Sequence, residues 1–482
     1  MNPRWAWLGL IALCGYRLWI ASRVPLLPDE AYYWVWSRTP SAGYFDHPPM
    51  VALWIRFGTW AAGQTELGVR LLGPLSELAA SWLLAQAARD LLPGADPKAG
   101  IVAALLMNAT LFWGVAGEVM TPDVPLLFFW VLTIWALGRL VATGQKDWWL
   151  WAGIAAGLAM DSKYTAVLLP AGILIWLLAP ERRFWWRSPW VYGGALLALA
   201  LFTPVMLWNY DHHWASFVRQ GGRVADFSPA RMLGFEAELI GGQLLLATPV
   251  VAILCAWGAV IAARRWREPG MGLFAAMIWP GVALFAEHAL GDRVQANWPA
   301  VIYPAAAIAA AGLAWRSYVM RLGIWLGLML GTLALAQVAF GLVKLPRSLA
   351  ALPLSPGTVP EFVRTVTRET GNARYIATDD YGLAALMAFY LPGDIEVAAL
   401  GDRWREFDLP AVETLIRTSP GTMMVRARAN SVPGWAVVSP LAPIPSARGN
   451  QTEMLYALRS VMAGPWSISG ALMPRREKSR GG

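Results

Sequence analysis

The feature that most constrains this chain is a succession of apolar runs, about eleven between Trp5 and Val343, most of them near the roughly 20 residues that a helix needs to cross a bilayer. They start near Trp5, Leu67, Ala99, Pro122, Asp147, Thr165, Trp190, Leu239, Met271, Trp298 and Leu322, and the fifth is short enough to be re-entrant. The pattern predicts an all-α polytopic membrane protein. Composition agrees: 57% of residues are hydrophobic and 15% charged, and 29 Trp with 13 Tyr suit a chain with many lipid–water boundaries, where amphipathic rings settle. The two cysteines, Cys14 and Cys255, fall inside apolar runs and give no disulfide framework.

The net charge of +8 does not point to nucleic acid, because the basic residues form short clusters between apolar runs instead of one basic face. They report topology. With a cytoplasmic N-terminus, alternate connections hold Arg89/Lys98, Arg139/Lys146, Arg182/Arg183/Arg187, Arg264/Arg265/Arg267 and Arg316/Arg321, so each obeys the positive-inside rule. The N-terminal run could pass for a secretory signal, but Arg17 interrupts it; an uncleaved first span is expected, with Arg17 snorkelling to the outer interface. The remaining connections are then external: residues 23–66, the turn at Thr121-Pro122-Asp123, the turn at Asp161-Ser162-Lys163, residues 209–238 and the stretch from Glu287 to Asn297. Past Lys344 the chain becomes polar and Pro-rich with short β-like runs. The expected domains are a transmembrane part over 1–344, a small α/β domain over 345–472 on the external side, and a disordered tail over 473–482.

Nearly every unusual polar residue falls on the external side. Asp29-Glu30 follow the first span, Asp46-His47 come later in the same loop, and Asp123 opens the fourth span. A carboxylate at the edge of hydrocarbon is partly desolvated and becomes a usable general base or cation ligand. Each could instead cap a helix or favour its macrodipole, but four acids on one side at similar depth are better explained as lining a site. Lys163 needs an anion: Asp161 could pair with it locally, or the ammonium could hold a lipid phosphate, with Arg219, Arg223 and Arg293 completing a clamp. All four histidines, His47, His212, His213 and His288, are external; His212 with Asp46 could bind a divalent cation, though no spaced ligand motif is present. No Walker loop, dinucleotide fingerprint or serine nucleophile elbow occurs.

The ordered set Asp29-Glu30-Ala31-Tyr32-Tyr33, Tyr44-Phe45-Asp46-His47-Pro48-Pro49, Thr121-Pro122-Asp123, Ser162-Lys163-Tyr164, Trp208-Asn209 with His212, and Asn297-Trp298-Pro299 resembles the GT-C glycosyltransferases of the protein O-mannosyltransferase and aminoarabinose lipid A transferase superfamily. The resemblance runs along most of residues 25–305. It implies a GT-C fold with two amphipathic juxtamembrane helices in the first external loop, a periplasmic C-terminal domain, and a bacterial inner-membrane location. It carries the catalytic acid to Asp29, a second acid to Asp123, a supporting role to Glu30, and the donor phosphate to Lys163. Tyr32, Tyr44, His47, Asn297 and Trp298 join Lys163, Arg219 and Arg293 as substrate-binding positions. The chain departs from the aminoarabinose transferases at His47, where those enzymes usually carry Lys, and is more like the broad bacterial group, some members of which act on lipopolysaccharide.

The reaction implied is inverting transfer of a sugar from a polyprenyl-phosphate donor to a lipid or glycan acceptor, lipid A or lipopolysaccharide first, with no cofactor required, although Asp46 and His212 could hold a divalent ion. A protein O-glycosyltransferase is the nearest alternative. A flippase for lipid-linked sugars is the rival from another class, and it fits less well because transporters gather polar residues near the midplane in paired repeats.

Overall fold

A computed structural model describes residues 2–221, 229–314, 318–343, 358–370, 375–401, 403–404, 407, 409–410, 423–426, 435–445, 452–460, 470–474 and 476. Arg223, Arg316 and most of the expected tail lie outside these residues. The chain groups into two compact units, one of Met1–Leu18, Phe45–Val51 and Leu72–Ala334, the other of Trp19–Tyr44, Ala52–Leu71 and Leu335–Gly482.

The helices in chain order are α1 (Pro3–Ala21), α2 (Pro28–Arg38), α3 (Met50–Ala62), α4 (Glu66–Arg70), α5 (Leu72–Leu91), α6 (Ala99–Asn108), α7 (Leu111–Gly114), α8 (Asp123–Thr143), α9 (Trp148–Met160), α10 (Leu168–Leu177), α11 (Pro189–Asp211), α12 (Ala215–Gly221), α13 (Pro229–Leu246), α14 (Pro249–Arg264), α15 (Pro269–Ala289), α16 (Tyr303–Ala314), α17 (Tyr318–Phe340), α18 (Thr358–Thr370) and α19 (Tyr381–Tyr390). Every apolar run expected to span contains a helix. By length and composition, four of the described helices are able to cross a membrane, α8, α11, α15 and α17; the number rises to 7 when three sharply bent pairs are each taken as one span.

One bent pair corrects the run expected from Leu239. It is not one helix but α13 and α14, turned through 108° at Ala247-Thr248. Pro249 follows Thr248, and the residue before a proline is pushed out of the helical region; Thr248 sits at φ +61°, an unusual conformation for a β-branched residue.

In the first unit α8 packs between α5 and α9, α9 packs on α11, and α16 packs against α6 and α14. Gly153 and Gly194 let α9 and α11 approach so closely that a Cβ on Gly153 would strike the Gly194 carbonyl. Small residues serve this purpose where helices associate in lipid. Arg17 does not snorkel. It is 3% exposed, its Nη1 lies 2.8 Å from Glu77 Oε2 on α5 and donates to Asn108 Oδ1 at 2.9 Å, and Glu118 lies 3.6 Å from its Nε. The polar groups along α1, α5 and α6 found one another, which removes the need to reach water. Glu118 ends the 3-10 turn Ala116–Glu118, five residues before Asp123, so this buried cluster anchors the chain that delivers the acid of α8.

The second unit contains a six-stranded sheet of order β4-β5-β3-β1-β2-β6, with β1 (Tyr375–Thr378), β2 (Glu396–Leu400), β3 (Met423–Arg426), β4 (Trp435–Pro445), β5 (Thr452–Ser460) and β6 (Gly470–Leu472). β1 runs parallel to β2 and β3, and the other pairings are antiparallel. α19 makes the crossover from β1 to β2, as parallel strands require. The same helix packs on α2 through its buried face, with Trp34 edge-on to Phe389 at 5.1 Å.

Candidate active site

In the first unit, three of the sequence-nominated residues meet. Asp123 is the first residue of α8; its Oδ1 accepts a hydrogen bond from Lys163 Nζ at 2.7 Å and its Oδ2 one from Asn297 Nδ2 at 2.8 Å. Lys163 comes from the turn after α9 and Asn297 from the loop after α15, so separate segments converge on one carboxylate. The pair is largely shielded, with side-chain exposures of 9% and 14%. Asp123 uses one of the three ammonium donors of Lys163, which leaves directed capacity for a second anion. Asp161 is not the partner of Lys163: its Oδ1 is buried without a hydrogen-bonding group among the described residues, and burial pushes its carboxyl up to about 7.

The Asp46-His47-Pro48-Pro49 segment is tied to this turn, since Met50 N donates to Asp161 O at 3.0 Å. Asp46 faces α12, where Gln220 Nε2 donates to its carbonyl at 2.7 Å and Arg219 Nε lies 3.6 Å from its Oδ1. Arg219 also lies over the Phe45 ring. α12 is held in turn by Tyr164, whose hydroxyl bonds Ser216 Oγ at 2.6 Å and accepts from Asn209 Nδ2 at 3.3 Å. His213 and Trp214, between α11 and α12, both take positive φ, 53° and 61°. Two consecutive non-glycine residues in that region store strain, which clusters at functional sites.

Other nominated residues are placed differently. His212 stacks on Trp208 at 4.0 Å with Nδ1 2.7 Å from the Trp208 carbonyl, so its ring caps α11. No group of three or more metal-ligating side chains occurs among the described residues, and Asp46 faces a guanidinium. Arg293 pairs with Glu238 at 2.6 Å, both largely exposed. Trp298 opens a 3-10 turn and packs edge-on to His288, and His47 is half-buried.

The second unit holds Asp29 and Glu30 in the first turn of α2. Asp29 Oδ1 accepts from the Tyr381 hydroxyl at 2.9 Å, in an exposed position. Glu30 is fully buried: Leu27 N donates to its Oε2 at 2.9 Å, and Arg70 Nε donates to its Oε1 at 2.7 Å. Arg70 also donates to the carbonyls of Ala21, Val24 and Pro25. This bidentate pair pins the entry of α2 and so supports Asp29. Tyr32 is a core ring, edge-on to Tyr381 at 4.9 Å and to Trp404 at 5.5 Å, while the Arg403 guanidinium lies 4.1 Å above Tyr381. Tyr44 is likewise buried: its ring stacks on Trp36, its hydroxyl donates to main-chain carbonyl oxygen at Trp36, and burial pushes that hydroxyl up to about 12. Arg70, Tyr381 and Arg403 carry no local motif, and only the fold reveals them.

Residues 46–208 match the family described as dolichyl-phosphate-mannose-protein mannosyltransferase. The lipid A galacturonosyltransferase RgtD of Rhizobium johnstonii is 28% identical over 65% of this chain, and the match spans just under two thirds, 66%, of that relative's length. The lipopolysaccharide core galacturonosyltransferase RgtA of the same organism is 25% identical over 77% of this chain and 78% of its own. The crystal structure of ArnT from Cupriavidus metallidurans bound to undecaprenyl phosphate superposes with a TM-score of 0.67 at 15% identity, covering 97% of this chain and 100% of that one. At that identity the likeness shows the fold.

Proposed function

We propose that this chain, a multi-pass membrane protein and a member of the GT-C glycosyltransferase superfamily, transfers a sugar from a polyprenyl-phosphate donor to lipopolysaccharide, on lipid A or the core, at the periplasmic face. The observation that carries the reading is the convergence of Lys163, Asp123 and Asn297 from three segments at one end of α8. The names of both curated relatives support the acceptor and make galacturonosyl the first sugar to test. The bound carrier lipid of the structural neighbour supports the donor.

The acceptor oxygen attacks the anomeric carbon while the bond from that carbon to the phosphate oxygen breaks, and polyprenyl phosphate leaves with inversion. Asp29 takes the proton of an acceptor hydroxyl, and a phosphate acceptor leaves it an orienting role. Lys163 stabilises the charge that grows on the leaving phosphate, and Asp123 with Asn297 keeps the ammonium aimed. The basic connections support a cytoplasmic N-terminus and a periplasmic C-terminal domain.

Mass spectrometry of lipid A and core oligosaccharide from cells carrying wild-type or Asp29→Asn protein tests this. A sugar-sized mass present only with wild type supports the transferase. An unchanged mass in both fractions, with a sugar-sized mass on envelope proteins that depends on the wild-type chain, would favour protein O-glycosylation.

A further inference from the structure

We propose that the end of the first unit remote from Asp123 and Lys163 holds an anionic phospholipid, with an acyl chain in an apolar cavity and its phosphate on an arginine rim. The cavity, of about 630 Å³, opens between α10, α14 and α15 and is lined by Ile175, Trp176, Ala276, Trp279, Arg182 and Arg183, among others. That volume is in the range of a small-molecule site. Its walls are apolar, and Ile175, Leu178 and Trp279 on its margin are well exposed, as for a surface that meets lipid.

Arg182 makes this a built site. It comes from the 3-10 turn Pro180–Arg187 and is 4% exposed. Its Nη1 donates to Trp176 O at 3.3 Å and its Nη2 to Trp266 O, Arg267 O and Glu268 O at 2.9, 3.1 and 3.1 Å, binding two basic connections together. Carbonyls satisfy those donors but do not neutralise the charge. Among the described residues Arg182 has no carboxylate within ion-pairing distance, and its buried Nε has no acceptor. Gly272 makes room for the Arg182 guanidinium itself, since a Cβ there would strike Trp266 O and come within 2.6 Å of Arg182 Nη2. Arg183 and Arg267 are exposed beside it, and Arg267 lies over the Trp266 ring.

A basic rim on an apolar slot between spanning helices selects a lipid with a negative phosphate head. A carrier whose phosphate sits on Lys163 cannot place that phosphate on this rim as well: α15 has 21 residues, so at about 1.5 Å per residue its two ends lie about 30 Å apart, with the rim at one and Asn297 beyond the other. The lipid is therefore a resident of the basic, cytoplasmic leaflet and not a substrate.

The test uses full-length, delipidated protein in nanodiscs of phosphatidylcholine with or without phosphatidylglycerol, read by native mass spectrometry and by thermal unfolding. Wild type should retain phosphatidylglycerol and unfold at higher temperature with it, whereas Arg183→Ala and Arg267→Ala should each bind it about fivefold more weakly. Ala275→Phe, which fills the cavity and keeps the rim, should also lose retention. Equal retention of the two lipids by wild type, unchanged affinity in both arginine variants, or displacement of the bound lipid by undecaprenyl phosphate would overturn the proposal.

Discussion

Lys163 Nζ lies 2.7 Å from Asp123 Oδ1, an ion pair between residues 40 apart in sequence that the much nearer Asp161 does not displace. The choice follows from placement. Asp123 stands at the start of α8, where the helix dipole favours negative charge, and Asn297 occupies its other oxygen. The ammonium is thus held on the Asp123 carboxylate and keeps donors free for a phosphate.

Lys163→Ala is expected to lower kcat/KM by roughly 10²- to 10³-fold, the usual loss on removing one preorganised electrostatic contact. Much of this should appear as weaker donor binding. Titration with a polyprenyl-phosphate sugar checks it, and a variant that saturates at the wild-type donor concentration would remove Lys163 from the phosphate site.

Asp29→Asn should cost roughly 10²- to 10⁴-fold in turnover with a hydroxyl acceptor, because the amide cannot take the proton. Tyr381→Phe removes the hydroxyl that bonds Asp29 Oδ1 while keeping the ring beneath Arg403, so it should reduce kcat by a smaller factor and leave the donor KM unchanged. Equal losses in the two variants would mean that Tyr381 does more than orient the acid.

Much of this was legible in the chain. Asp123 and Lys163 stand out because polar residues at the edges of apolar runs need a reason, Asn297 enters through the family resemblance, and the Thr248-Pro249 break is readable from proline chemistry alone. What could not be read was partnership. Arg17 pairs with Glu77 and Glu118, and Glu30 with Arg70, over 60, 101 and 40 residues, separations at which no periodicity applies. Tyr32 and Tyr44 are nominated by the family resemblance alone, and the core that their rings complete draws its other members from Tyr381, Trp404 and Phe407, far along the chain.

Arg17→Met should destabilise the protein by about 3–5 kcal/mol, since it leaves two buried carboxylates without their cation. Adding Glu77→Gln should recover part of that loss, and the double variant is the informative one. Thermal unfolding of the three variants in one detergent measures it. Strictly additive losses would show that Arg17 and Glu77 do not interact across the α1–α5 contact.

Asp161 gives a pH dependence whose sign is fixed by burial. Its folded-state carboxyl titrates at about 7, above the ordinary 3.8, because desolvation disfavours the charged form. Between those values the native state holds a proton that the unfolded chain has released, so the stabilisation is complete below about pH 4 and is lost as pH rises through about 7. Wild type should therefore lose stability progressively between about pH 4 and pH 7 relative to Asp161→Asn, whose amide is neutral throughout, with no further loss above that range. Unfolding temperatures of the two proteins across that range provide the measurement. Curves that stay parallel would show that Asp161 is ionised, and hydrated or paired, in the native state.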